Sequence, residues 1–282
     1  MIRLIETGGT LCMIPGPHGL VPQAGRVAAI LPAGVACEAI TPLIDSANVG
    51  PLLWNQLLDR IAAAKGPVIV THGTDTMAYT GAALDAALAG TGASVVLTGA
   101  MQPLGTKGGD AEANLSLALD VAGRPYPGLR LAFAGKVMPA GRITKQHSTA
   151  AHAFRRAGDP APATPPPSRR FADRKLAVLT LTPGMPSDML LAALSTLDGA
   201  VLRVFGSGTA PAVPGLADAL ATAVANGCRI WAISQCASGG LMPGTYAAGA
   251  ALWQAGVENA GMLSAEQALT RLWLALSVPE LP

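Results

Sequence analysis

The chain reads as an α/β protein of two domains with parallel, mixed-edge sheets, the larger domain N-terminal and the smaller C-terminal. Three observations predict this. Short β-branched apolar runs alternate with longer stretches of helical period. A length of 282 residues exceeds most single domains. A proline-rich stretch interrupts the alternation once and the alternation then resumes.

Taken in order, Ile2-Arg3-Leu4-Ile5 and Val68-Ile69-Val70 read as buried parallel strands over 2–6 and 67–71. The segment Ile14-Pro15-Gly16-Pro17-His18-Gly19 is too rich in breakers to be a core element and reads as a loop. Leu52, Leu53, Leu57, Leu58 and Ile61 share one face of a helix over about 51–64. A second helix is expected over 76–89, stopped by Gly90. Strands at 94–98 and 130–136 then flank a helix near 110–121. Residues 158–172 form the expected linker, since prolines crowding 162–167 favour an extended spacer. This leaves domains at 1–157 and 173–282. In the second, strands at 176–182, 200–204 and 229–234 alternate with helices at 187–197 and 214–226. Helices near 245–255 and 264–277 close the chain.

Composition excludes several function classes. Half the residues are apolar and 13% are charged, too apolar a chain to remain disordered. No apolar run approaches the ~20 residues of a membrane-spanning helix, so no membrane role is expected. A net charge of +2 without a basic block gives no reason to expect nucleic acid. The opening Met1-Ile2-Arg3-Leu4-Ile5-Glu6 does not read as a signal peptide, and the expected location is cytoplasmic. Cys12, Cys37, Cys228 and Cys236 have no paired spacing and read as reduced thiols. The scattered His18, His72, His147 and His152 suggest no metal site.

Chemistry is suggested by two loops that leave the carboxyl ends of expected parallel strands, where ligands of open α/β sheets bind. These are Thr7-Gly8-Gly9-Thr10 and His72-Gly73-Thr74-Asp75-Thr76. They bring hydroxyl groups to one crevice, and a helix start beside them favours an anion or a developing oxyanion. Each also has a plain structural reading. Asp75 suits a helix N-cap, and Gly8-Gly9 suits a tight turn.

The two strings in this order resemble the bacterial-type L-asparaginases, and the likeness extends over nearly the whole chain. Asp45-Ser46-Ala47-Asn48 is similar to the family's substrate-binding segment, and Gly99-Ala100-Met101 to its third loop. Arg142-Ile143-Thr144-Lys145-Gln146-His147 resembles the segment of the catalytic lysine. Near the other end, residues 202–211 and Ser234-Gln235-Cys236 resemble the family's C-terminal domain. The run Met77-Ala78-Tyr79-Thr80 is closest to the cytoplasmic type I members.

The resemblance implies hydrolysis of L-asparagine to L-aspartate and ammonia through an acyl-threonine, with no metal or organic cofactor. Thr10 matches the primary nucleophile, and Thr74, Lys145 and Asp75 match a Thr-Lys-Asp triad. A lysine is a base only when neutral, which burial favours and the adjacent Asp75 opposes. Ser46 is implied to hold the substrate α-carboxylate and Asp75 its α-amino group, while the Thr74 N–H is the implied oxyanion donor. Ala47, Gly9, Gly73 and Ala100 complete the implied substrate-binding set. By themselves Ser46 could be a turn residue and Lys145 a surface charge. Some type I members also bind asparagine between subunits, and the matching positions are Thr144, Arg203 and Cys236. Arg203 fits either a bidentate carboxylate contact or an interdomain salt bridge. The family assembles as homodimers or homotetramers.

The chain departs from the pattern in places. Leu20 stands where the family lid carries a tyrosine, and no tyrosine precedes Tyr79. The phenol that would orient Thr10 is therefore absent. Ala47 replaces a polar residue, and Gly208-Thr209 stands where Gly-Asn is usual. Two other functions are compatible with the sequence. One is a catalytically weak sensor of asparagine or aspartate; the other is a glutaminase-asparaginase of broader specificity, since one methylene is worth only ~1–3 kcal/mol of discrimination.

Overall fold

A computed structural model describes residues 1–160, 165–166 and 168–278. The chain divides into two compact units, Met1–Arg156 with Pro160–Pro166, and Ala157–Asp159 with Pro167–Pro282. Much of the expected spacer, residues 161–164 and 167, lies outside the described residues.

The first unit begins with β1 (Ile2–Glu6), the hairpin β2 (Met13–Gly16) and β3 (Gly19–Pro22), and β4 (Val35–Ala39). Next come α1 (Pro51–Ala62), β5 (Val68–Thr71), α2 (Met77–Ala87), β6 (Ser94–Thr98) and α3 (Ala111–Ala122). The unit ends with β7 (Gly128–Phe133), β8 (Lys136–Pro139), β9 (Ile143–Lys145) and β10 (Phe154–Arg156). Its main sheet has the order β4-β1-β5-β6-β7-β8, parallel except for the antiparallel edge strand β8. Strand residues alternate between the two faces. Leu4, Ile69, Val96 and Ala132 face Leu115, Ala118 and Ala122 of α3. Ile5, Val70 and Leu97 on the alternate positions are equally buried, which explains why these strands are apolar throughout.

The second unit carries β11 (Leu176–Thr180), α4 (Ser187–Leu194), β12 (Gly199–Val204), α5 (Leu216–Ala225) and β13 (Arg229–Ser234). It closes with α6 (Ala250–Gln254), β14 (Glu258–Asn259) and α7 (Ala265–Ala275). The sheet β11-β12-β13-β14 is parallel. Leu202 and Ile230 pack with Leu190 of α4 and Leu220 of α5 on one face, and Val201 and Ile233 pack with Leu272 of α7 on the other. A capping box of Ser264 and Gln267 starts α7.

Several expectations change. The breaker-rich loop after β1 is a hairpin, because Gly16 and Gly19 pair across a Pro17-His18 turn. The strand expected at 130–136 ends at Phe133: Ala134 and Gly135 take positive φ (49° and 72°) and turn the chain into β8. Hydrogen bonding of the Ala134 N–H to Asn114 Oδ1 at 2.8 Å holds that turn. The helix expected near 245–255 contracts to α6 after a 3-10 turn over Ala247–Gly249. The short strands β4, β9, β10 and β14 carry no pattern long enough to be read from the sequence.

Two glycines set β9 against α2. A Cβ on Gly81 of α2 would meet the Ala140 carbonyl, and a Cβ on Gly141 would meet the Asp85 carboxylate. The turn at 140–142 that feeds β9 is therefore pressed onto the helix. Helix propensity alone would make Gly81→Ala stabilising by about 1 kcal/mol. Steric overlap with a backbone carbonyl reverses the sign, and urea unfolding should show a loss of about 1–3 kcal/mol.

Candidate active site

Strands β1, β5 and β6 end side by side, and their loops touch backbone to backbone. A Cβ on Gly9 would collide with the amide of Gly73, one on Gly8 with the carbonyl of Ile44, and one on Gly99 with the His72 carbonyl. A Cβ on Gly73 would collide with the Ser46 hydroxyl. Four glycines thus allow the loops at 7–10, 44–48, 72–76 and 99–101 to converge. Backbone bonds continue the register into the loops: Thr7 N–H donates to Thr71 O at 3.2 Å, Ile44 N–H to Thr7 O at 2.8 Å, and His72 N–H to Thr98 O at 2.9 Å.

Thr10 opens a 3-10 turn over Thr10–Cys12, with Gly9 at φ 85°. Its hydroxyl makes no hydrogen bond to a described residue, and it is partly open to solvent. Leu20 lies exposed on β3 and offers no polar group to it. The buried Thr74 and the lysine at the end of β9 meet: Lys145 Nζ lies 2.8 Å from Thr74 Oγ1 and 2.7 Å from Asp75 Oδ1. Asp75 does not cap α2. Thr76 is the N-cap, without a side-chain cap bond, and its hydroxyl donates to Ser46 O at 2.6 Å. With 70% of its side chain exposed, Asp75 presents a carboxylate to solvent while it pairs with the more enclosed lysine. Ser46 is buried beside Gly73, and Asp45 accepts the Ala47 N–H at 2.9 Å. Ala100 is fully enclosed in the core, so in this arrangement it backs the site and does not line it.

The expected residues Gly9, Thr10, Ser46, Ala47, Gly73, Thr74, Asp75 and Lys145 are therefore brought to one end of the first unit's sheet. Thr144 adjoins Lys145 on β9, whereas Arg203 lies on β12 and Cys236 just after β13, both in the second unit. Among the described residues no His/Cys/Asp/Glu group could hold a metal, and no helix is long and apolar enough to cross a membrane.

Residues that sequence reasoning did not single out support the loops from beneath. His72 Nδ1 lies 2.7 Å from the Gly73 carbonyl and Nε2 lies 2.9 Å from Thr80 Oγ1. A carbonyl only accepts, so Nδ1 carries the proton and Nε2 accepts from the Thr80 hydroxyl. Thr80 Oγ1 in turn accepts from Trp54 Nε1 at 3.1 Å. The relay locks the Gly73–Thr74 peptide, since holding its carbonyl fixes the whole planar unit. The third loop is fixed from α3: Asn114 Nδ2 donates to Gly99 O, and Asp110 accepts from the Met101 and Gln102 N–H groups. A polar residue between an apolar strand and a helix start was the signal available for His72.

Burial pushes His72 down to about 4 from its usual 6.5, the bond to Gly73 O opposing this only in part. For a base shifted downward, the stabilisation is complete above pH 6.5 and is lost as pH falls through about 4. The full span corresponds to about 3 kcal/mol. Urea midpoints compared at pH 7 and pH 4.5 should fall with pH in the parent protein and fall less in a His72→Asn variant.

Both units match known proteins. Residues 1–169 match the family model described as Asparaginase, N-terminal, and residues 175–280 match the Glutaminase/Asparaginase C-terminal domain. The chain is 30% identical to L-asparaginase 1 of Escherichia coli strain K12, over 98% of this chain and 91% of that protein. It is 30% identical to the probable L-asparaginase of Deinococcus radiodurans, over 98% and 93%. The crystal structure of L-asparaginase I from Vibrio cholerae superposes with a TM-score of 0.84 at 28% identity, covering 99% of this chain and 93% of that one.

Proposed function

Since the chain belongs to the asparaginase family, we propose that it is an amidohydrolase converting L-asparagine to L-aspartate and ammonia through an acyl-threonine on Thr10. The observation that carries the reading is the Thr74–Lys145–Asp75 constellation, with Lys145 Nζ within 2.8 Å of both partners. It supplies a base, a hydroxyl relay and a carboxylate at the end of the sheet that also presents Thr10.

In the forward half-reaction Thr10 Oγ attacks the side-chain amide carbon and its proton passes to the amide nitrogen through the site's base. The developing oxyanion faces the Thr74 N–H, whose peptide the His72 relay holds still. The C–N bond breaks, ammonia leaves, and the acyl group remains esterified to Thr10. Water then attacks the ester while Lys145 takes a proton through the Thr74 hydroxyl. Collapse of the second tetrahedral intermediate releases aspartate and returns the proton to Thr10. Ser46 and the backbone N–H groups of Gly9, Ala47 and Gly73 hold the substrate α-carboxylate, and the exposed carboxylate of Asp75 receives its ammonium. Ala100 supports the site from its buried position.

The absent lid phenol and the unbonded Thr10 hydroxyl favour slow turnover, which is the specific support for the sensor reading. Leu20→Tyr should then raise kcat by about tenfold, in line with the contribution expected at the lower end for a positioned proton-transfer or orienting group. Wild-type kcat unchanged by that substitution would show that the phenol's role is filled otherwise.

The same proposal includes a homodimer or homotetramer, a cytoplasmic location, and Thr144, Arg203 and Cys236 as effector positions, whose occupancy would make the rate curve sigmoidal. Ammonia release measured against asparagine and glutamine over a wide concentration range tests the assignment. Thr10→Ala and Lys145→Ala should each lower kcat/KM by at least about a hundredfold. The preference between the two amides should lie within about 10–200-fold, the worth of one methylene. Full activity in both variants would overturn the assignment.

A further inference from the structure

The carbonyls of the turn that presents Thr10 are all hydrogen-bonded, and two of them from outside the turn. Gly9 O accepts the Cys12 N–H at 3.2 Å, Thr10 O the Met13 N–H, and Cys12 O the Gln23 N–H at 3.0 Å. These bonds lie within the turn and at the base of the β2–β3 hairpin. Leu11 O instead accepts the Leu104 N–H at 3.3 Å, and Met13 O accepts from Arg26 Nη1 at 3.0 Å. Met13 stands opposite Pro22, next to the hydrogen-bonded step between Cys12 and Gln23. Alternation along an antiparallel ladder then turns the Met13 carbonyl away from the hairpin, where the guanidinium meets it.

The other arm of that guanidinium, Nη2, donates to Leu104 O at 2.8 Å. Leu104 is thus bonded on both sides, by its N–H to the Thr10 turn and by its carbonyl to Arg26. It is also fixed from α3. Between 101 and 105 every N–H has a partner: Met101 and Gln102 on Asp110, Leu104 on Leu11 O, and Gly105 on Glu112 Oε1 at 2.7 Å. Pro103 has no N–H to place. Asp110 and Glu112 belong to the start of α3, so this stretch is pinned to a helix. Val27, next to Arg26, is buried with Leu11, Cys12 and Leu104, which anchors the segment that delivers the guanidinium. Among the described residues the partners of Arg26 are the two carbonyls, and no carboxylate pairs with it.

We propose that Arg26 is a positioning residue for Thr10. Its guanidinium clamps the exit of the Thr10 turn at Met13 to the third loop at Leu104, and so holds the turn against a strut built on α3. The Thr10 hydroxyl has no bond to a described residue, so its place is set by the backbone that the clamp secures. A guanidinium suits the task because its donors are spread over a rigid planar fork, and two carbonyls on separate segments are met by two of its nitrogens. An ammonium offers one nitrogen in place of the fork.

The role rests on Thr10 being the nucleophile, and hydrogen exchange separates its failure from that of the functional reading. In Arg26→Ala, kcat for asparagine should fall about ten- to a hundredfold with little change in KM, as expected for a misplaced reacting group. Arg26→Lys should show the same split. Arg26 borders a cavity of about 610 Å³ that opens to solvent beside α3. Guanidinium ion added below denaturing concentration should therefore enter and restore part of the kcat lost in Arg26→Ala, and sodium at equal ionic strength should not. Amide exchange over 10–14 and 101–105 should quicken in Arg26→Ala while α2 keeps its protection. Wild-type kcat in Arg26→Ala, unchanged exchange over 10–14, or a lost kcat that guanidinium leaves unrestored overturns the proposal. Where Arg26→Ala does not fold, Arg26→Lys, which keeps the aliphatic stem and the charge, decides by the same exchange and kinetics. A wild-type protein that releases no ammonia from asparagine or glutamine refutes the functional reading and with it the role for Thr10; the exchange over 10–14 then still decides the clamp.

Discussion

The contact between Gly9 and Gly73 is the constraint on which the site depends. Each residue ends a loop from a neighbouring parallel strand, and no side-chain atom fits between them. The register of β1 with β5 sets Glu6 beside Thr71; the next N–H, that of Thr7, donates to Thr71 O, and the loops then turn toward each other, not away. Gly99 meets the His72 carbonyl in the same manner, while Gly73 leaves room for the Ser46 side chain. Convergence of the loops is thus a matter of close approach at glycines. Side chains with chemistry are left to project from a floor of peptide groups, the arrangement in which N–H donors are fixed before a charge develops.

Beneath that floor the protein places titratable groups and suppresses their charge. His72 is buried and neutral, with both ring nitrogens committed. Glu6 is buried and shifted in the sense that favours its neutral form. An isolated charge here would be costly to bury and would distort the field above it. Lys145 and Asp75 face each other above them, at the surface of the site. Lys145 reaches Thr74 only because Gly81 and Gly141 let the turn at 140–142 lie against α2. Glycine proximity therefore recurs on either side of the threonines.

The β-branched runs at 2–5 and 68–70 and the helical period at 52–61 were sufficient for their elements, because each buries a pattern that only one periodicity satisfies. The hairpin after β1 was not legible. Proline and glycine there read as breakers, while the pairing of Gly16 with Gly19 is a cross-strand fact. The Ala134-Gly135 turn was hidden for a related reason: Asn114, distant in sequence, accepts the Ala134 N–H and steadies a conformation that alanine rarely adopts. Among site residues, Asp75 suits a helix cap by its place in the sequence, and only the approach of Lys145 from a distant strand gives it another partner. Glu6 and His72 carried no periodicity and no motif role by themselves.

By itself the sequence determined the fold class, the main alternation of strands and helices, and, through two threonine-glycine strings and a lysine segment, the family and the candidate residues. These are local quantities, set by side-chain type and spacing along the chain. Only the tertiary structure decided which oxygen Lys145 approaches, that Thr76 and not Asp75 begins α2, and that Ala100 lies behind the site. It also decided that Glu6 and His72 lie beneath the loops. Hydrogen-bond partners and desolvation depend on what is brought alongside from elsewhere in the chain, and that information exists only once the sheet has formed.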